Sequence, residues 1–445
     1  MVRRTLDRFR LRLRWAILDG LPRAALAVQA RCGDPLARLL VGPQRGGDPY
    51  PLLEQIRDRG RLMRKPLVWA TADHDLCRTL LRDSRFVVTS TTNLNLPAPL
   101  AWLIHRTDPQ LAHPGEPPSM LQVDPPEHSR YRHPVAHAFT PKAIDALRTR
   151  VIDVSTALLD RIDSSAQFDL IADYAAPLPA AIIADILGIP DGHRSQMLER
   201  GDSGAPLLDI GVSWRTFRRG MEMLRASGQE INAQIDHLRA EPGDGIFSHI
   251  VGQGTLTRHE LATTATLIAG AGFETTVNLI GNAIVLLLQH PDQLAMLHAD
   301  PDLWPNAVEE VLRFASPVQM TSRTTACDVE LAGHHIPAHT TVALLLSGAN
   351  RDPKIFTHPA SFDITRTNAK EHLSFSSGIH VCLGASLARM EATLALRALF
   401  ERFPTLQLNG QPSRRNLATL NGFSRIPAAP GVAPHTTEPT PTTVP

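Results

Sequence analysis

The 445 residues carry 45 Lys plus Arg against 44 Asp plus Glu, a formal net charge of +1, with 43% apolar and 20% charged side chains. That balance excludes a chain built as a polycation for nucleic acid and a chain too charged to bury a core. Gly and Pro, 28 and 36, are too few for a low-complexity polymer, and Cys32, Cys77, Cys327 and Cys382 form no CxxC pair, which argues for reduced intracellular thiols over a disulfide framework or structural zinc.

In chain order, the first feature is a basic arm. Arg3, Arg4, Arg8, Arg10, Arg12 and Arg14 stand against one acid, Asp7. Arginine interrupts every apolar run, which argues against an apolar core of secretory-leader length. Leu6, Phe9, Leu13 and Ile17 can share a helical face, and residues 1–44 read as a solvated extension with at most weak contact to anionic lipid. Leu67–Ala70 reads as a strand. Residues 92–120 form a Pro-rich loop with apolar Leu94, Leu96, Leu100 and Trp102, and long apolar loops are often functional. Asp145–Arg161, Leu178–Leu187 and Arg215–Leu238 have helical spacing; Pro190 and Gly192 end the second. Thr257 can cap a long helix that Pro291 stops near His290. Within it, Leu261–Leu288 is apolar enough to suggest a membrane span. Glu274, Asn278 and Asn282 near its middle argue for a buried core helix instead. Pro305–Phe314 reads as a short helix. Val329–Leu331 and Thr341–Leu345 flank Gly333 and Pro337 like a hairpin. Pro427, Pro430, Pro434, Pro439, Pro441 and Pro445 mark residues 427–445 as a disordered tail. The whole predicts a mainly α chain with small β-sheets, an α+β class.

The sharpest chemical signal is Phe375-Ser-Ser-Gly378-Ile-His380-Val-Cys382-Leu-Gly384, running into Ala385-Ser-Leu-Ala-Arg389-Met-Glu391. A lone cysteine between a Gly-containing loop and a helix start suits a thiolate. Gly378 and Gly384 permit tight turns and close approach to a flat ligand. Other strings carry less. Gly201-Asp-Ser203-Gly204 echoes a serine-protease site without its β pattern, Gly270-Ala-Gly272 lacks a third glycine, and His133 with His137 lacks a further ligand.

The cysteine segment resembles the haem-binding signature of the cytochromes P450, F-x-x-G-x-H-x-C-x-G. Glu310-Val-Leu-Arg313 resembles that family's E-x-x-R, and Ala271-Gly272-Phe-Glu274-Thr275-Thr276 its oxygen-activation helix. Asp124-Pro-Pro-Glu-His128-Ser-Arg-Tyr-Arg132, Ser322-Arg323-Thr and Asn350-Arg-Asp-Pro353 with Phe356 are similar to segments of bacterial members. The motifs fall in family order over roughly residues 45–426, so the resemblance implies a P450 haem domain across that span.

It further implies haem b with Cys382 as axial thiolate. Phe375, Gly378, His380, Gly384 and Ala271 would surround the haem, and His128, Arg132, Arg323 and His380 would meet its propionates. Glu274 and Thr275 would relay protons, and Glu310 with Arg313 would lock the cysteine loop. The departure is Ser376, where bacterial relatives commonly have glycine; if positive φ is required there, serine is strained. The implied activity is monooxygenation with O2 of a small apolar molecule of lipid, terpenoid, steroid or polyketide type. Electrons would come from a ferredoxin and its reductase docked near Cys382, where Arg389 offers charge. The setting would be cytoplasmic. Leu94–Leu121, Ile268, Ala271, Thr275, Val318–Met320 and Leu420–Phe423 are candidate substrate contacts, with Gln319 polar. A peroxygenase or rearranging enzyme on the same fold, and a non-enzymatic haem sensor, are the alternatives.

Overall fold

The computed structural model describes residues 2–41, 48–65, 68–90, 96–162, 167–189 and 203–431. Its helices assemble around one rod, Arg258–Gln289, whose 32 residues span roughly 48 Å. Thr257 caps it: its hydroxyl accepts the Glu260 N–H while the Glu260 carboxylate accepts the Thr257 N–H. The most apolar stretch, of mean hydropathy 1.5, is 78% buried by protein, which makes the rod a core element. Asn282, costly in lipid, here donates to the Ala315 and Asn421 carbonyls, both at 3.0 Å, and so ties the rod to two distant segments.

Helices Pro177–Leu187, Trp214–Ala240, Trp304–Phe314 and Ala385–Arg402 pack around the rod. Helix Pro177–Leu187 approaches closely at Gly272, where a Cβ would lie 2.5 Å from Ile183 Cδ1. A four-stranded sheet lies to one side in the order Val68–Thr71, Thr341–Leu344, Thr321–Thr325, Phe86–Val88; the first pair is parallel and the rest antiparallel. It carries Arg323 in its Thr321–Thr325 strand.

Several expectations need correction. Val329–Leu331 pairs with His334–Ile336, not with Thr341–Leu344. The Ala332-Gly333 turn, with φ of +51° and +78°, supplies a two-residue reversal that matches strand twist. Asp145–Arg161 is broken at Leu147 into two helices, Pro141–Ala146 and Arg148–Arg161. The 92–120 loop contains a helix, Ala98–Arg106, and residues 91–95 lie outside the described chain. Residues expected to open the tail instead form a strand, Pro427–Pro430, between Phe168–Asp169 and Leu406–Leu408. Prolines normally argue against an inner strand. Here Pro427 contributes only its carbonyl, which accepts the Asn409 N–H at 2.9 Å. Residues 432–445 lie outside the described chain.

The arm expected to be solvated is helical, Val2–Trp15 and Leu21–Arg31 joined by a π-turn at Ala16–Gly20. Leu11 and Trp15 pack against Val212, Phe217 and Met221, Arg14 reaches the Ile104 carbonyl and Glu116, and Phe9 is 67% exposed. Burial of Arg14 is what the pattern of apolar residues could not anticipate.

Glu391, in the helix Ala385–Arg402, is buried, and burial pushes its carboxyl up to about 8. The folded protein therefore holds this proton more tightly than the unfolded chain. Stability gained from it is full below about pH 4.5 and is lost as pH rises through about 8. Urea midpoints at pH 6 and 9 are expected to differ more for the parent than for Glu391→Gln, which has no proton to lose.

Candidate active site

The loop Phe375–Cys382 is shaped by its own backbone. The Cys382 N–H donates to the Phe375 carbonyl at 2.9 Å, Ser376 N–H to Leu373 at 2.8 Å, and Val381 N–H to Gly378 at 3.1 Å. Ser376 and Gly378 both adopt left-handed backbone, with φ of +63° and +72°. At Gly378 space forbids a side chain as well, since a Cβ would lie 2.3 Å from the Leu81 carbonyl oxygen. Ser376 thus carries the strain its sequence position suggested, about 1 kcal/mol or more. Ser376→Gly is expected to stabilise the loop by roughly 0.5–1 kcal/mol, after the larger chain entropy of glycine is set against relieved strain. A raised urea midpoint checks this.

Cys382 is held by protein on most sides but opens onto a cavity, and Gly384 begins the helix Ala385–Arg402 just beyond it. Burial raises the thiol pKa, against the pull of the Gly384 N–H and the Arg132 and Arg389 charges. Surrounding charge alone therefore does not make it a thiolate; a bond from sulfur to an electrophilic centre would.

A cationic group faces the same cavity. His128 is 3% exposed, and burial, reinforced by His380 and Arg132 and opposed by Asp124, pushes it down to about 4. The His128 and His380 rings lie 4.3 Å apart, and among the described residues neither Nε2 has a hydrogen-bond partner; Asp124 Oδ1 is 3.7 Å from His380 Nε2. Arg323 is buried, and burial pushes it down to about 10 against the pull of Asp124. Arg132, also lowered by burial, donates to the Val381 carbonyl at 2.7 Å. Two buried nitrogens without partners and two cations disfavoured by burial form a place that a flat group with two carboxylates would fit. The expected set His128, Arg132, Arg323 and His380 is thus brought together.

Across the cavity lies the turn Gly270–Thr276 of the long helix. The Thr275 hydroxyl donates to the Ala271 carbonyl at 2.6 Å, and that of Thr276 to Gly272 at 2.9 Å. Glu274 is buried and meets Arg415 at 3.0 Å. Arg415 carries no signal in the sequence, because it reaches Glu274 from a distant segment.

Behind the cysteine loop, Arg313 and Glu310 are both wholly buried and joined by two bonds of 2.7 Å. The pair is not isolated. Arg366 approaches Glu310 at 3.2 Å, a third member that sequence spacing did not reveal. Neighbouring Glu309 binds Arg389 at 2.5 Å and His372 at 3.1 Å. Burial opposes ionisation of Glu309, yet these two bonds hold it down to about 2. Arg389 lies over the Phe375 ring at 4.5 Å. Its guanidinium is thus paired with Glu309 and stacked on Phe375 while remaining partly exposed.

The cavity measures 1820 Å³, beyond the roughly 300–1,000 Å³ of a single small-ligand site. Cys382, Phe375, His380 and Gly384 lie on one wall, and Ile268, Ala271 and Thr275 on another. Leu96, Leu100, Val318, Met320 and Leu420 contribute as expected. Gln319 does not act as a polar contact. It is buried, its side-chain amide donates to the Ser316 carbonyl at 2.8 Å, and only its backbone carbonyl accepts from Ser347. Phe423 is buried in the main core, and Trp102 is 62% exposed. The unexpected lining comes from the N-terminal helices, with Leu18, Leu21 and Leu26.

Comparison with known proteins places these features in context. The family profile described as cytochrome P450 matches residues 221–430. The chain is 42% identical over 430 residues to the "Putative cytochrome P450 140" of Mycobacterium tuberculosis, covering 95% of this chain and 98% of that protein. It is 40% identical over 321 residues to the "6-deoxyerythronolide B hydroxylase" of Saccharopolyspora erythraea, covering 69% of this chain and 77% of that one. The crystal structure of P450BioI in complex with hexadec-9Z-enoic acid ligated acyl carrier protein superposes with a TM-score of 0.78 at 35% identity, covering 86% of this chain and 98% of that one.

Proposed function

The chain belongs to the cytochrome P450 family, and from that premise we propose that it is a haem-thiolate monooxygenase for a long apolar substrate of lipid type. Electrons come from a separate ferredoxin and its reductase, in the cytoplasm. The observation that carries the substrate class is the single cavity connecting Cys382 with apolar Leu21 and Leu26 in the N-terminal helices. A relative that hydroxylates 6-deoxyerythronolide B and a neighbour solved with an acyl chain on its carrier protein make bulky or extended apolar substrates the natural range.

Cys382 would hold the haem iron through its sulfur, and His128, Arg132, Arg323 and His380 would meet the two carboxylates of haem b, giving both His Nε2 atoms a partner. Phe375, Gly384 and Ala271 line the cavity where the ring would lie, whereas Gly378, expected beside it, instead lets the loop approach the Leu81 carbonyl. Haem, when bound, supplies the iron chemistry that activates O2 with two electrons. The protein supplies the rest. Apolar walls exclude water and orient one C–H bond of the substrate. Thr275, on the turn beside Ala271, holds or passes a proton at Oγ1, and Glu274 with Arg415 forms a buried charged reserve behind it.

Optical titration of the purified holoprotein tests the reading. Saturated and monounsaturated acids of graded length, free and bound to a carrier protein, are expected to shift the haem band toward high spin. A response to a macrolactone alone would overturn the lipid class. A preparation that binds no haem when supplied with it would overturn the assignment as a whole.

A further inference from the structure

The N-terminal helices do more than cover the core. Arg14 is 2% exposed; its Nη1 donates to the Ile104 carbonyl at 2.8 Å and its Nη2 meets Glu116 at 2.5 Å. Trp15 Nε1 donates to the Val212 carbonyl at 2.9 Å, and Arg23 to the Gly211 carbonyl at 2.9 Å. Asp19 is buried and accepts the Gly211 and Val212 N–H groups at 3.1 and 3.2 Å. One short segment thus grips two others, the region of helix Ala98–Arg106 and the turn at Gly211–Val212, and both regions line the cavity through Leu100, Glu116 and Val212. Ile17, Leu18, Leu21, Pro22 and Leu26 face the same cavity.

Burying two charged side chains costs desolvation that an apolar contact would avoid. What the charges add is register: a fork from Arg14 and a carboxylate from Asp19 fit one alignment of the three segments. Gly211 supports that alignment. Its φ of +78° is left-handed, and a Cβ there would lie 3.1 Å from Arg23 Cα, so the approach of the two backbones requires glycine.

We infer that residues 14–29 are a substrate-selecting wall of the cavity, aligned by Arg14, Trp15 and Asp19 as positioning residues. The inference rests on the reading of this cavity as the substrate site. The wall meets the cavity mainly through Ile17, Leu18, Leu21, Pro22 and Leu26, with the Asp19 carboxylate engaged by the Gly211 and Val212 N–H groups, so it selects the far apolar end of a ligand by size. Small molecules pass it without contact.

Stopped-flow binding of imidazole and of clotrimazole to the ferric holoprotein separates the two cases. Leu26→Trp, which narrows the wall, is expected to slow or weaken clotrimazole by about 5-fold or more and to leave imidazole within about 2-fold. Arg14→Ala, which frees the alignment, is expected to speed clotrimazole by about 5-fold with imidazole again little changed, and Arg14→Lys, which keeps the charge but not the fork, to recover the parent rate only in part. Equal changes for both ligands, or clotrimazole binding untouched by Leu26→Trp, would overturn the inference. If Arg14→Ala does not fold, Leu26→Trp decides. Hydrogen exchange at the Gly211 and Val212 amides reads the alignment without haem. Asp19→Ala is expected to speed it about 10-fold, and unchanged exchange would overturn the positioning role. Protein that never binds haem would sink the proposed function, while the exchange measurement would still judge the alignment of residues 14–29.

Discussion

Glu310→Ala is expected to yield little soluble protein, none of it holding haem. Glu310 offers its two oxygens to Arg313, one of them also to the Asp363 N–H at 3.0 Å, and Arg366 lies against the same carboxylate. Both guanidinium groups also donate to the Ser361 carbonyl, at 3.0 and 3.2 Å. Removal of the carboxylate would leave two cations side by side with no water to screen them. Breaking a buried pair in this way costs about 3–5 kcal/mol, a large share of the roughly 5–15 kcal/mol that holds a domain together. The damage reaches the cysteine loop by a short path. Arg313 donates to the Asn350 carbonyl at 3.1 Å, Asn350 accepts the Leu373 N–H at 2.7 Å, and the Ser374 hydroxyl bonds Asn350 at 2.8 Å and the Leu312 carbonyl at 2.6 Å. Leu373 and Ser374 lead directly into Phe375. The check is soluble yield, the haem-to-protein absorbance ratio and the urea midpoint. A soluble, haem-replete variant with the parent midpoint would refute the argument.

What the sequence disclosed, it disclosed where the determinants are local. The cap at Thr257, the rod to Gln289 and the cysteine loop each depend on residues within a few positions of one another. Ser376 was legible as a strain point for the same reason, because a φ requirement belongs to one residue. Partners brought together by folding were not legible. Arg366 reaches Glu310 across 56 residues with no periodic signal between them. Arg415 lies in an unremarkable polar stretch until the fold sets it against Glu274. The N-terminal arm misled because arginine is ordinarily a solvated residue, whereas Arg14 is buried by a carboxylate and a carbonyl that only tertiary structure supplies. Pro427–Pro430 misled in the opposite sense: composition pointed to disorder, but its carbonyls and the Ala428 and Ala429 backbone suffice for a short inner strand.

Thr275→Ala should separate the consumption of reductant from the formation of product. Inserting one atom of O2 into a C–H bond and reducing the other to water consumes two electrons and two protons. The electrons come from outside the chain, but the protons must cross an apolar cavity, so a hydroxyl positioned within it controls the balance. Thr275 is half-buried on the cavity side of the rod, and its proton is donated to the Ala271 carbonyl at 2.6 Å, which leaves its oxygen lone pairs turned to other donors. Rotation of Oγ1 away from that carbonyl costs one hydrogen bond, about 1 kcal/mol, so the group can both accept and give a proton. Alanine keeps the helix and removes this function. Product formation is expected to fall about 100-fold, the lower end of the range for positioned proton donors. Reductant oxidation should fall far less, with hydrogen peroxide making up the difference. Thr275→Ser should restore most of the product, because it restores the hydroxyl while losing only a methyl group. Glu274→Gln tests the charged reserve behind it. If Glu274 serves only to pair with Arg415, the variant loses stability and keeps its coupling; if it feeds Thr275, coupling falls while the urea midpoint moves little. A Thr275→Ala enzyme that forms product and consumes reductant in the parent ratio would mean that protons reach the cavity by another route.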